Sequence, residues 1–222
     1  MTELTDLGFS KGVIVEAVVS TYNVNGQPNA APMGVVMDRP QRVVMRIYTS
    51  SLTYKNLQSK GCAVVDVTSD PQVFYRTAFK EANPEGRLPW EWFERAEAVN
   101  APRLRMADAH VEVAVGDVLP LDFERAEVKC EVKLVQASKV LPRVYCRASS
   151  AVIEAVIHAT RVEAFIKDGD RERREQALKL LVKIGECRDV VNRVASNSRY
   201  SEVMADLVQR VDSWRVKSES LR

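Results

Sequence analysis

The sequence predicts an antiparallel β domain followed by a helical domain, and three observations predict it. Up to Val140 the chain is built from short β-branched runs, one of which alternates strictly from Ala126 to Leu134. From Ser149 onward the apolar spacing changes from two to that of a helix. No proline occurs after Pro142, so nothing interrupts the later helices. The division falls near residue 140, giving a domain over 1–140 and a second over 141–222.

In chain order, Val13 to Tyr22 reads as a strand that runs into Asn25-Gly26, a dipeptide suited to the two positive-φ positions of a tight hairpin turn. A second strand follows from Asn29 to Met37. Arg42 to Tyr48 and Cys62 to Thr68 read as two more, joined by a polar stretch of helical length, Ser51 to Lys60. His110 to Val115 is a shorter strand. In the alternating segment, Ala126, Val128, Cys130, Val132 and Leu134 share one face, and Glu127, Lys129, Glu131 and Lys133 share the wet one. Pro84 to Pro102 holds two of the three tryptophans between bounding prolines and reads as an insertion or lid.

In the second domain, Ile153, Val156, Ile157, Thr160 and Ala164 form one helical stripe, with Ser149 or Ser150 as N-cap. Asp168-Gly169-Asp170 punctuates the chain. Ala177, Leu181 and Ile184 point inward on a second helix, and Val203, Leu207, Val211 and Trp214 on a third.

Composition excludes several classes. The chain has 222 residues, 46% of them hydrophobic and 28% charged, with Gly 9 and Pro 9, which rules out collagen-like and low-complexity architectures. The net charge of +2 does not advertise a nucleic-acid or membrane partner. The opening residues lack the apolar segment of a signal peptide, and no apolar run reaches the ~20 residues of a membrane span. The expectation is a cytoplasmic protein whose four cysteines (Cys62, Cys130, Cys146, Cys187) are free thiols. There is no dinucleotide fingerprint, phosphate loop or nucleophile elbow, and His110 and His158 are isolated, so hydrolase and metal-site readings fall away.

Two segments carry chemistry. In Asn29 to Gly34, small residues would let a flat ligand approach the backbone at Pro32, Met33 and Gly34. A Pro-interrupted edge strand explains the same residues. In the second segment, Arg46, Thr49, Ser50, Ser51, Thr53, Lys55 and Asn56 crowd donors around a strand end and a helix start, as a phosphate requires. Capping by Ser50 or Ser51 accounts for one hydroxyl but not for four together with Arg46.

These segments resemble the flavin-binding split barrels. Asn29-Ala30-Ala31-Pro32-Met33-Gly34 is similar to the N-x-A-P-aromatic-Ser motif of flavin-reductase-like domains. Thr53-Tyr54-Lys55-Asn56 matches their T-x-x-N step, and Val64-Val65-Asp66 stands where they carry V-V-N. Glu154 to Arg161 (EAVIHATR) matches the E-A-x-I-x-x-T-R step of a largely archaeal family of flavin mononucleotide (FMN)-binding split barrels with a C-terminal helical domain. That family is related to the pyridoxamine-phosphate-oxidase-like proteins. The resemblance implies an antiparallel split β-barrel, FMN as cofactor, and a homodimer with flavin at the subunit interface. It also implies that Arg46, Thr49, Ser50, Ser51, Thr53 and Asn56 hold the phosphate, that Tyr48 flanks the ribityl chain or ring, and that Asp66 places a carboxylate near the ligand. The reaction it implies is hydride transfer or reduction of a small acceptor. A competing reading makes the barrel a dimeric scaffold. The chain from Pro142 on carries 16 Lys+Arg against 12 Asp+Glu, and this basic helical part would bind a partner protein or nucleic acid.

Overall fold

The computed structural model describes residues 2–137, 146–168 and 170–219. The domain boundary near Val140 and the expected break at Gly169 lie outside the described residues.

β1 (Ile14–Tyr22) and β2 (Pro28–Arg39) form the expected hairpin. Its turn differs from the expectation: Asn25 is not at positive φ, and Gly26 alone in the turn takes the left-handed conformation, at φ 82°. Gly26 N–H donates to Asn23 O at 2.9 Å and Asn23 N–H to Gln27 O at 2.8 Å. This is the longer loop in which a single left-handed glycine follows an ordinary turn. β3 (Arg42–Tyr48), α1 (Leu52–Lys60) and β4 (Cys62–Val67) follow. Next comes α2 (Pro71–Ala78), which the sequence reading did not include, and then the small hairpin β5 (Phe93–Arg95) and β6 (Pro102–Leu104). The long strands β7 (Ala109–Pro120) and β8 (Arg125–Ala137) complete the sheet.

The six long strands close into an antiparallel barrel in the order β1-β2-β3-β8-β7-β4. Alternation along each strand sends one set of side chains inward. Val19, Val35, Met45, Val65, Val111 and Val128 meet in one apolar core, joined by Leu4 and Phe9 from the N-terminal segment and by Leu57 of α1. The alternation of β8 does not persist to Leu134 as expected. Glu112 pairs with Leu134, but Val113 pairs with Val132. The extra residue, Lys133, is a bulge that reverses the faces beyond it. Val135, not Leu134, therefore returns to the core.

The chain divides into two compact units: Met1–Ser69 with Phe79–Pro142, and Asp70–Ala78 with Arg143–Arg222. α2 thus belongs with the helices α3 (Arg147–Asp168), α4 (Arg171–Val194) and α5 (Arg199–Glu219). In this second unit Tyr75 of α2 hydrogen-bonds Asp206 of α5 and accepts from Arg210 Nε at 2.5 Å. α3 begins at Arg147, so Ser149 and Ser150 lie in its first turn and do not cap it. Its buried face is Ala148, Val152, Ala155, Val156, Ala159 and Val162. Of the expected stripe, Val156 alone is fully buried, while Ala164 is exposed. Close packing places the small residues Ala148, Ala155 and Ala159 inward and leaves the larger Ile153 and Ile157 half-buried. Asp170 caps α4 by accepting from Arg173 N–H at 3.0 Å. Ala177, Ile184 and Val191 line the inner face of α4, with Leu181 half-buried. Val203, Leu207 and Val211 line that of α5.

Candidate functional site

The site begins with a parting of strands. β2 pairs with β1 along Pro28–Val36 but with β3 only over residues 35–39. The β3 residues Arg46, Ile47 and Tyr48 pair with β8 alone. Residues 28–34 of β2 therefore leave one backbone edge open. Pro32 lies in that stretch, where a missing N–H breaks no ladder to β3. α1 stands beside the opening, docked by buried amides. Asn56 Nδ2 donates to Thr21 Oγ1 at 2.9 Å and to Asn23 Oδ1 at 2.8 Å, and Asn29 Nδ2 lies 3.4 Å from Thr53 Oγ1.

The outer face of β2 at this edge is bare. Met33, Val35 and Met37 pack into the barrel core, so Pro32, Gly34 and Val36 face outward. Met33 turns its side chain toward the core, and its backbone alone lies at the edge. A Cβ on Gly34 would meet Ile14 Cγ2 at 3.1 Å and Glu16 Oε1 at 3.9 Å, so glycine keeps this surface flat.

The donor cluster separates into individual tasks. Ser51 is the N-cap of α1, its Oγ accepting from Tyr54 N–H at 3.2 Å. Thr49 Oγ1 donates to Glu124 O at 3.1 Å. Thr53 and Asn56 are fully buried and turned toward the β1–β2 hairpin, so neither side chain faces a phosphate as expected. Arg46, Tyr48, Ser50 and Lys55 are exposed. Arg46 is 72% exposed and lies 3.4 Å from Glu127 Oε2. The first turn of α1 contains no acidic residue, which leaves its positive end uncompensated and its early N–H groups available to an anion.

Asp66 is elsewhere. Its neighbours Val65 and Val67 pack in the barrel core, so its carboxylate lies on the outer face, where it is completely buried. It accepts from Ser20 Oγ at 2.5 Å, His110 Nδ1 at 2.8 Å and the Leu104 backbone N–H at 3.1 Å. Burial pushes its pKa up; the His110, Ser20 and Leu104 contacts oppose that shift. All its oxygens are engaged within the fold, so it does not present a carboxylate to a ligand. Glu112 holds the segment expected to be a lid, through Glu97, Ala98 and Val99, and Asp66 holds Leu104 just beyond it. Among the described residues no group of His, Cys, Asp and Glu side chains is arranged to hold a metal. Nor is any helix long and apolar enough to cross a membrane.

Residues 15–140 match the family described as "Protein of unknown function (DUF447) N-terminal domain". The chain belongs to this family. Among solved structures, an FMN-bound DUF447 protein from Methanosarcina mazei shares the fold with a TM-score of 0.74 at 24% identity, covering 94% of this chain and 99% of that one. Looser likenesses include flavoredoxin of Desulfovibrio vulgaris, with a TM-score of 0.48, 15% identity, and 59% and 76% of the two chains covered. Nitrilotriacetate monooxygenase component B from Bacillus cereus gives a TM-score of 0.49 at 17% identity over 65% and 81%. The DUF447 chain described here thus has the antiparallel barrel of an FMN-binding split-barrel protein, followed by helices.

Proposed function

We propose that this DUF447 protein binds FMN at the parting of β2 and β3. The observation that carries the reading is the juxtaposition there of a bare, open strand edge at Pro32–Gly34 with the uncompensated start of α1. A flat heterocycle needs the first, and a phosphate needs the second. That a member of the same family carries FMN on this fold supports it. Arg46, Ser50 and the first N–H groups of α1 would hold the phosphate end. The backbone at Pro32, Met33 and Gly34 would border the ring, and exposed Tyr48 would flank it. Thr49, Ser51, Thr53 and Asn56 act one step behind, by fixing β3 to β8 and α1 to the β1–β2 hairpin. When bound, FMN supplies hydride and electron transfer, chemistry that belongs to the cofactor while the protein orients it. The reading is therefore of a flavin-dependent oxidoreductase or flavin reductase.

Assembly as a homodimer belongs to the same reading. Tyr48, Leu52, Leu121 and Phe123 are exposed apolar residues on β3, α1 and the β7–β8 turn, and a second copy would cover them. The rival reading, a helical module that binds nucleic acid, draws less support. Its basic residues are interleaved with acids, as in the pairs Lys167–Glu163, Arg171–Glu175 and Arg188–Asp189, where a one-sided basic stripe would be required.

The test is spectroscopic. The purified protein is expected to be yellow or to take up FMN, to bind riboflavin far more weakly, and to scatter light as a dimer. Equal affinity for riboflavin and FMN would remove the phosphate site at α1.

A further inference from the structure

On the outer face of β4, opposite the barrel core, lies a second and much smaller apolar cluster. Cys62 and Val64 of β4 meet Ala96 and Ala101, with Val99 packed against them. These last three belong to the tip of the β5–β6 hairpin, which folds back on β4. Cys62 Sγ–H donates to Asn100 O at 3.3 Å, sealing the thiol beneath the tip. The apolar hold is slight, because two alanines and a valine bury little area, and a two-stranded hairpin is marginal by itself.

The tip is held instead by one carboxylate. Glu112 of β7 is fully buried. It accepts from the backbone N–H groups of Glu97 at 2.9 Å, Ala98 at 2.5 Å and Val99 at 3.2 Å. Three successive N–H groups converging on one anion form the concavity with which loops cradle anions, and here the chain fills it with its own side chain. Arg103 of β6 lies 3.7 Å from Glu112 Oε1 but is shared with Glu94 at 2.8 Å and Glu97 at 3.5 Å. A buried anion with three donors is a strong hold, and the other attachments of the tip to β4, the weak Cys62 thiol hydrogen bond and the small apolar cluster, add little to it.

We infer that Glu112 is a latch. It holds the tip Ala96–Ala101 on β4, and the tip lifts as a local unit, exposing Cys62 and Val64 while the barrel stays closed. Local opening is the behaviour of segments with few apolar contacts. Such an opening offers a short apolar strip on β4, and with it a thiol, which the closed protein hides.

Two cysteines make the inference testable in one experiment. Cys62 lies under the tip and Cys130 inside the barrel core, so the first reports local opening and the second global unfolding. The protein is treated with a maleimide across a urea series below the unfolding transition, and labelling of each cysteine is followed by peptide mass spectrometry. Cys62 is expected to label at least tenfold faster than Cys130, with a shallower urea dependence. Glu112→Gln, which sets an amide N–H against backbone donors, is expected to speed Cys62 labelling about tenfold further and to leave Cys130 unchanged. Equal rates and equal urea slopes for the two cysteines in the natural protein would overturn the inference, since opening would then be global. So would a Glu112→Gln protein whose Cys62 labels no faster. If that variant does not fold, the two slopes in the natural protein decide alone.

Discussion

Arg46 Nε lies 3.4 Å from Glu127 Oε2, directly across the ladder between β3 and β8. The pair stands on the wet outer face, and Lys129 Nζ is 3.8 Å from the other Glu127 oxygen. Arg46 therefore has a partner but not a tight one. An arriving phosphate would compete with Glu127 for it.

This relationship sets the first prediction. Arg46→Ala is expected to weaken FMN binding by only ~3–10-fold, because exposed ion pairs are worth little. It should leave riboflavin binding and the melting temperature of the flavin-free protein unchanged. Glu127→Gln should act in the opposite direction and tighten FMN. Fluorescence titration of both variants with both flavins is the measurement, and a Glu127→Gln protein that binds FMN more weakly would refute the competition.

Asn56 invites the contrary prediction. Its amide donates twice within the buried cluster that docks α1, so Asn56→Ala leaves Thr21 and Asn23 short of a donor. A loss of about 1–3 kcal/mol in urea unfolding is expected, as for other buried polar groups left unpaired. FMN affinity should suffer only as far as α1 is displaced, and a stable variant that has lost FMN would return Asn56 to the phosphate.

Gly34 separates shape from stability. Its φ is unexceptional, and the Cβ of Gly34→Val would press mainly on Ile14, whose side chain is largely exposed and can move. The barrel should melt within about 1 kcal/mol of the natural protein, as for most surface changes. Flavin uptake should fall at least tenfold, because the added isopropyl group would stand on the bare edge.

His158 gives a pH dependence to the helical unit. It is buried on α3, with Nδ1 lacking a hydrogen-bond partner and Nε2 3.3 Å from Glu154 Oε1. Burial lowers its pKa below the ordinary 6.5; Lys183 and Arg161 push the same way, and Glu154 opposes. The unfolded chain thus binds the proton more readily than the folded one. Stability is full above pH ~6.5 and falls as the pH drops through the lowered folded value. Thermal melts followed by circular dichroism between pH 7.5 and 5 should show this slope, and His158→Gln should flatten it.

The strands were legible because β-branched runs and period-two spacing survive in any context. The site was legible only as a region. Thr49, Ser51, Thr53 and Asn56 look alike in sequence, as short polar side chains in one turn. Which of them faces outward depends on where β2 leaves β3, and that parting has no local signature. Asp66 illustrates the same limit. Its partners Ser20, Leu104 and His110 are 46, 38 and 44 residues away, so its burial could not be foreseen. α2 did have a signal: Asp70-Pro71 is a sound helix start, and Asp70 Oδ1 accepts from Gln72 N–H at 2.9 Å. A helix of 8 residues beside a proline reads as a loop unless caps are weighed before length.

The placement of α2 also bears on how the protein is made. Its partners α3 and α5 are encoded after the whole remainder of the barrel, and the stretch from Ala78 to Arg147 takes on the order of ten seconds to synthesise at roughly 5–20 residues per second. Through that interval Val73, Phe74 and Tyr75, all buried in the finished molecule, leave the ribosome with nothing to pack against. Truncations that stop before α3 would make this exposure permanent. The nascent chain is therefore expected to depend on chaperones most strongly just before α3 emerges.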